Sequence, residues 1–210
     1  MNLERLEMLQ ERLASKVHLV SEVRQVDLVG GADFGYDKER KHIGAVIAIL
    51  KVPEFEAVEI CQARRKVEFP YIPSFLAFRE APVFFDAFRK VKIKPDVTLI
   101  DGNGIAHPRK IGLASYVGVI LDIVTIGCAK NPFFPFHIPR EHKGAYTFYM
   151  NDRREKVGLC LRTRTGIKPL FVSPGHRIDI MMSLKIVLQC SKFRIPEPLR
   201  TAHRLSKKMF

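Results

Sequence analysis

The period of the apolar positions changes several times along the chain, and each change marks an element. Within residues 2–20, Leu3, Leu6, Leu9, Leu13 and Val17 recur every three or four positions with charges between them. That spacing predicts an amphipathic helix over 2–20 laid on a core. From Gln25 to Val58 the period shortens to two. Val26, Leu28 and Gly30 alternate toward Asp33, Ile43, Ala45, Ile47 and Ile49 alternate along HIGAVIAILKV, and after Pro53 a third strand opens at Ala57, Val58, Ile60 and Cys61. Three strands joined by short polar turns predict an antiparallel meander.

In KVEFPYIPSFLAFRE, Pro70 and Pro73 fix the backbone on either side of Tyr71 and Ile72, so both side chains are held out on a stiff loop that cannot join a sheet. Ser74 reads as the N-cap of a helix carrying Phe75, Phe78, Phe84, Phe85 and Phe88, with a break or kink expected near Glu80 because Pro82 lies inside the pattern. Val97 to Ile100 is a short buried strand that stops at Asp101-Gly102-Asn103-Gly104. A helix over Gly112–Ile123 and a second apolar run, VTIGCA, follow, with Lys130 just past its end. Parallel strands joined by a helix put their carboxyl ends on one edge, so Lys130 is expected beside Asp101.

Residues 132–149 read as an aromatic, basic, proline-rich loop able to touch nucleic acid through Arg140, His142 and Lys143. KVGLCLRTR and KPLFVSPGH predict a hairpin around Gly166, with His176 at the junction to the next helix. The pattern predicts a single α/β domain over 1–210, a mixed sheet flanked by helices. Its parts are the helix 2–20, a core over about 25–190 and a basic C-terminal helix over about 196–208.

Composition then narrows the partner. Lys and Arg number 35 against 22 Asp and Glu, a formal charge of +13 spread through the chain. Such a surface attracts polyanions, and nucleic acid is the leading class. Four cysteines stand far apart with no CxxC spacing, which predicts buried thiols in a reducing compartment rather than a zinc site or disulfide framework. No apolar signal core or run near the roughly 18 residues of a membrane span is present, so a soluble cytoplasmic protein is expected.

Asp101 is a carboxylate left at the end of a core strand beside glycines that let a ligand approach, although Asp-Gly is also a common turn that caps the next helix. Asp33, Glu80, Asp101 and His176 come from four separated segments, each at an element end. Gathered together, the carboxylates could hold a hard divalent cation for phosphodiester hydrolysis, with His176 near the metal and Lys130 offsetting phosphate charge.

The segments GADFGY, FPYIPSFLAFRE, LIDGNGIAHPRKIGLAS, TIGCAKN, FVSPGH and RIPEPLRTAH, in that order across nearly the whole chain, resemble endonuclease V. The resemblance implies a ribonuclease H-like fold and a DNA-repair activity. Strands containing deoxyinosine or inosine would be nicked with Mg²⁺, or Mn²⁺ in its place, one nucleotide beyond the lesion on its 3′ side, leaving a 3′-hydroxyl and a 5′-phosphate. It makes Asp33, Glu80 and Asp101 the metal-binding carboxylates, His176 the active-site histidine and Lys130 the phosphate-contacting lysine. Pro70, Tyr71, Ile72 and Pro73 become a strand-separating wedge with Tyr71 at its tip, and Ser74, Leu76, Gly102, Gly104 and His107 the substrate-binding lining. Ser74 and Asn103 stand at positions that vary, with consequences for pocket fit. The implied partner is deoxyinosine-containing DNA, with inosine-containing RNA left open, and the implied state a monomer. A general ribonuclease H-type nuclease lacking the wedge, and a non-catalytic basic binding module, are the competing readings.

Overall fold

The computed structural model describes residues 2–210; Met1, the first residue of the expected domain, lies outside them. The chain begins with α1 (Leu3–Ala14), then forms the meander β1 (Leu28–Tyr36), β2 (His42–Lys51) and β3 (Glu56–Lys66). Helix α2 (Leu76–Phe88) leads to β4 (Val97–Ile100), and α3 (Leu113–Leu121) joins it to β5 (Thr125–Ala129). Three further strands, β6 (Tyr146–Met150), β7 (Lys156–Leu161) and β8 (Leu170–His176), precede α4 (Ile180–Gln189) and α5 (Glu197–Ser206). All eight strands form one sheet in the order β3-β2-β1-β4-β5-β8-β7-β6. Among the described residues the β1–β4 and β4–β5 pairings are parallel and the other five antiparallel, so the sheet is mixed, as expected.

Alternation sorts the side chains of the central strands into two cores. Ala32 and Ile100 pack with α2 and α3 on one face, while Val29 and Leu99 pack with α4 and Leu199 of α5 on the other. Covered on both sides, β4 is apolar apart from Thr98 and wholly buried. All four cysteines are buried and free. Among the described residues no helix is long and apolar enough to cross a membrane.

Four local expectations are corrected. The first helix ends at Ala14 rather than 20, because His18 leaves the helical path: its carbonyl accepts from Arg177 N, and Glu22 N donates to Arg177 O. Ser74 is not the N-cap of α2; Phe75 occupies that place without a side-chain cap, and Ser74 itself sits at φ +66°. Helix α2 continues through Pro82, since the backbone bond lost there is outweighed by Ala81, Val83 and Phe84, fully buried in the core shared with β2 and β3. The supposed loop 132–149 ends in a strand, β6, an edge strand that pairs only with β7 and buries one ring, Tyr149, completely.

Two glycines fix how the loop after β4 crosses its neighbour. A Cβ on Gly127 would lie 2.3 Å from Gly104 N, and one on Gly104 would lie 1.9 Å from Pro174 O. Gly127→Ala should therefore lower the unfolding free energy by about 1–3 kcal/mol in urea titration. An unchanged midpoint and slope would contradict the close crossing.

Candidate active site

The site lies where β1 outruns β4. The parallel register pairs Ala32 with Ile100, and Asp101 N donates to Ala32 O at 3.1 Å, so Asp33 and Asp101 are the next residues on adjacent strands. Asp33 is buried, with Oδ2 accepting from Ser206 Oγ and lying 3.1 Å from His203 Nδ1, both from α5. Asp101 Oδ2 accepts from Lys130 Nζ, which comes from the end of β5 as expected. Gly102 follows at φ +157°, a conformation that residues bearing a side chain rarely adopt. Glu80 reaches the same place from α2, and its Oε1 accepts from Tyr36 OH at 2.9 Å.

Electrostatics mark this gathering as unfinished. Burial raises the Asp33 carboxyl above its ordinary range and the Asp101 charge raises it further, against the opposing Ser206 hydroxyl. Burial pushes Glu80 up to about 8, with Tyr36 OH opposing and the charges of Asp101 and Asp33 adding. Among the described residues each carboxylate engages a hydrogen-bond donor through one oxygen only. No three of these side chains converge as a closed metal cage. An open set of carboxylate oxygens that repel one another suits a hard divalent cation completed by substrate phosphate oxygens.

His176 does not belong to this site. Strand β8 runs antiparallel to β5, so its last residue sits opposite Thr125 at the start of β5, the sheet edge away from Asp101. There His176 is 3% exposed, with Nε2 3.3 Å from Asp122 Oδ1 and Nδ1 accepting from His18 N. Burial lowers its pKa, against the pull of Asp122. The histidine at the site is His203. It lies within the RIPEPLRTAH segment, and its spacing of three from Ser206 puts both side chains on one helix face.

The loop Pro70–Pro73 is held at both ends. Arg79 Nη1 donates to Phe69 O at 2.8 Å and its Nε to Tyr36 OH at 3.2 Å, so the loop's first anchor shares a tyrosine with Glu80. At the other end Ser74 O accepts from Gln10 Nε2 and His107 Nε2, both at 2.9 Å, and Ser74 Oγ accepts from Arg109 Nη2 at 2.7 Å. Gln10 is fully buried and accepts from Arg109 Nε at 2.6 Å, so α1 is part of the mount rather than packing alone. Tyr71 stands out from this mount 66% exposed. A cleft of about 490 Å³ runs from Tyr71, Ile72, Pro73, Ser74 and Leu76 past Gly102 and His107 to Asp101 and Lys130. Asn103 also lines it and carries a buried amide oxygen with no partner. Gly104 is not among the lining residues and packs against Gly127 and Pro174.

A family model for endonuclease V matches residues 11–204. The chain belongs to the endonuclease V family. The family's member from Dictyoglomus turgidum is 46% identical over 203 residues, 96% of this chain and 88% of that one. The crystal structure of endonuclease V from Streptomyces avermitilis superposes with a TM-score of 0.92 at 37% identity, covering 98% of this chain and 91% of that chain. Endonuclease V from Ciona intestinalis, in complex with a 24mer DNA containing an inosine followed by a ribo-adenosine, gives a TM-score of 0.87 at 30% identity. That superposition covers 98% of this chain and 96% of that chain.

His107 offers a pH test of the mount. Arg109 N donates to its Nδ1 at 3.2 Å, which places the ring proton on Nε2 facing Ser74 O. Burial pushes its pKa down to about 4, below the ordinary 6.5. The unfolded chain therefore takes up this proton first, and the stability of the neutral ring is lost as pH falls from about 6.5 toward 4. Relative to His107→Gln, wild type should lose roughly 3 kcal/mol over that window in denaturant titrations. A pH-independent difference would show that the ring is not desolvated as described.

Proposed function

We propose that the chain is a Mg²⁺-dependent endonuclease that nicks DNA at deoxyinosine, one nucleotide beyond the lesion on its 3′ side, leaving a 3′-hydroxyl and a 5′-phosphate. The observation that carries this is the single cleft joining the exposed Tyr71 and its proline-stiffened loop to Asp101 and Lys130. A general nuclease needs the carboxylates but not a rigid aromatic wedge beside a base-sized cavity. The Ciona relative bound to inosine-containing DNA supports the same substrate class.

Asp33, Glu80 and Asp101 are the residues that would hold the cation. When bound, it supplies Lewis-acid polarisation of a phosphoryl oxygen and activation of water. Lys130 Nζ, which contacts Asp101, would offset charge on the scissile phosphate. Ser206 and His203 fix the rotamer of Asp33 by engaging Oδ2, and Tyr36 does the same for Glu80 through Oε1. Tyr71 inserts where the base leaves the stack, replacing part of the stacking energy, while the lining from Ser74 to His107 receives the flipped base. All these groups come from one chain, consistent with a monomer, and its four buried free thiols suit the reducing cytoplasm.

Asp101→Asn should slow nicking of a deoxyinosine duplex by on the order of 10³-fold or more in single-turnover assays, with binding changed little. Retained turnover would overturn the metal role. Tyr71→Ala should cut the preference for deoxyinosine over undamaged duplex about ten-fold, the scale of one base–aromatic stack. An unaltered preference would remove the wedge.

A further inference from the structure

Phe193 projects 42% exposed from the turn between α4 and α5, with two guanidinium groups over its ring: Arg200 Cζ at 3.7 Å and Arg164 Cζ at 5.6 Å from the centroid. The turn is pinned from four sides. Lys143 Nζ donates to Ser191 O at 3.1 Å, Thr163 Oγ1 to Arg194 O at 2.7 Å, and Arg194 Nη2 to Pro169 O at 2.9 Å and to Lys130 O at 3.2 Å. Its backbone therefore holds the ring outward, rather than a chance rotamer of a loose loop.

The position matters as much as the rigidity. Ala129, at the end of β5, pairs with Phe171, and Phe171 with Cys160, so the β7–β8 loop carrying Arg164 and Lys168 opens on the same sheet edge as Asp101. Arg194 bonds the backbone of Lys130, whose ammonium touches Asp101. The turn joins α4 and α5, on the face of the sheet opposite α2, whose N-terminus carries the Tyr71 loop. The cations are sparsely compensated. Glu197 lies 3.8 Å from Arg200 Nε, and Arg164 has no ion pair among the described residues. Two guanidinium groups drawn to one ring repel each other. Among the described residues neither donates a hydrogen bond within the chain, the one carboxylate near them being Glu197 at 3.8 Å from Arg200 Nε, so their N–H groups are open to a bidentate oxyanion.

We infer that Arg164, Phe193 and Arg200 form a phosphate-binding shelf that holds the substrate strand on the 3′ side of the scissile bond, across the carboxylates from the wedge. The shelf rests on the proposed nicking of deoxyinosine DNA for its direction along the strand. Its contribution is electrostatic and independent of sequence, so it anchors the outgoing strand without reading bases. Phe193 acts by ordering the two guanidinium groups before the strand arrives, which lowers the entropy lost on binding.

The test compares two labelled duplexes, each with one deoxyinosine, the lesion strand ending either ten or two nucleotides past the lesion on the 3′ side. Binding is measured against salt in chelator. An Arg164→Gln/Arg200→Gln variant should bind the long duplex about ten-fold more weakly and with a salt slope lower by about 1.5, since each phosphate contact contributes 0.7–0.9. The short duplex should be bound as by wild type. The chain has no tryptophan, so Phe193→Trp adds a lone reporter at an exposed site, and its emission should change with the long duplex alone. Equal affinity and slope on the long duplex, equal loss on both duplexes, or an emission indifferent to the long duplex would each overturn the shelf. An undamaged duplex of the longer length separates the two readings. If wild type shows no preference for deoxyinosine, the lesion reading fails, while the long-versus-short comparison still reports on the shelf.

Discussion

Two aspartates on adjacent strands and a glutamate brought to them from a helix share one site, where burial and the neighbouring carboxylates oppose ionisation of Asp33 and Glu80. Much of the surrounding structure accommodates that constraint. Strand β1 extends past the end of β4 so that Asp33 stands beside Asp101 instead of behind it. Helix α5 lies close against β1, close enough that a Cβ on Gly31 or Gly35 would strike its backbone, and so delivers Ser206 and His203 to Asp33. Among the described residues Lys130 is the one lysine or arginine paired with these carboxylates, while His203 lies against Asp33. The result is a local acidic trough in a chain of net charge +13. On the proposed reading the wide positive field draws in a phosphate backbone, and the trough would take a divalent ion whose coordination that backbone helps to complete.

The wedge is governed by a different requirement, stiffness. An aromatic side chain offsets the cost of unstacking a base only if little free energy is lost in ordering the loop that carries it. Two prolines restrict the loop internally, and part-buried hydrogen bonds restrict it at its ends. The Ser74 carbonyl receives Gln10 and His107, and the Phe69 carbonyl receives Arg79. Arg79 also bonds Tyr36, whose hydroxyl donates to Glu80, so wedge and carboxylates are built on one hydrogen-bonded frame. On the proposed reading, a lesion seated against Tyr71 would be held at a fixed distance from the carboxylates that act on its backbone.

Much of this was legible from residues alone because it is written in local patterns. Period-two alternation located the meander, the VTLI and TIGCA runs located the parallel pair, and strand-end placement found Asp101 and Lys130. What escaped depends on tertiary partners. His176 and His203 both follow small residues near element ends, and only the antiparallel direction of β8 sends the first to the far edge of the sheet. The early end of α1 follows from backbone bonds to Arg177, more than 150 residues away in sequence. Ser74 has the chemistry of an N-cap but is drawn into the mount by Arg109. Strand β6 was hidden because an edge strand burying one ring lacks a clear alternation.

The most direct measurement is nicking by the wild-type chain of an end-labelled duplex carrying one deoxyinosine, beside an undamaged duplex, in Mg²⁺ and in chelator. A single cut one nucleotide 3′ of the lesion, present in Mg²⁺ and abolished by chelation, is the expected result. Equal cutting of both duplexes, or cutting that survives chelation, would contradict a lesion-directed, carboxylate-held metal site.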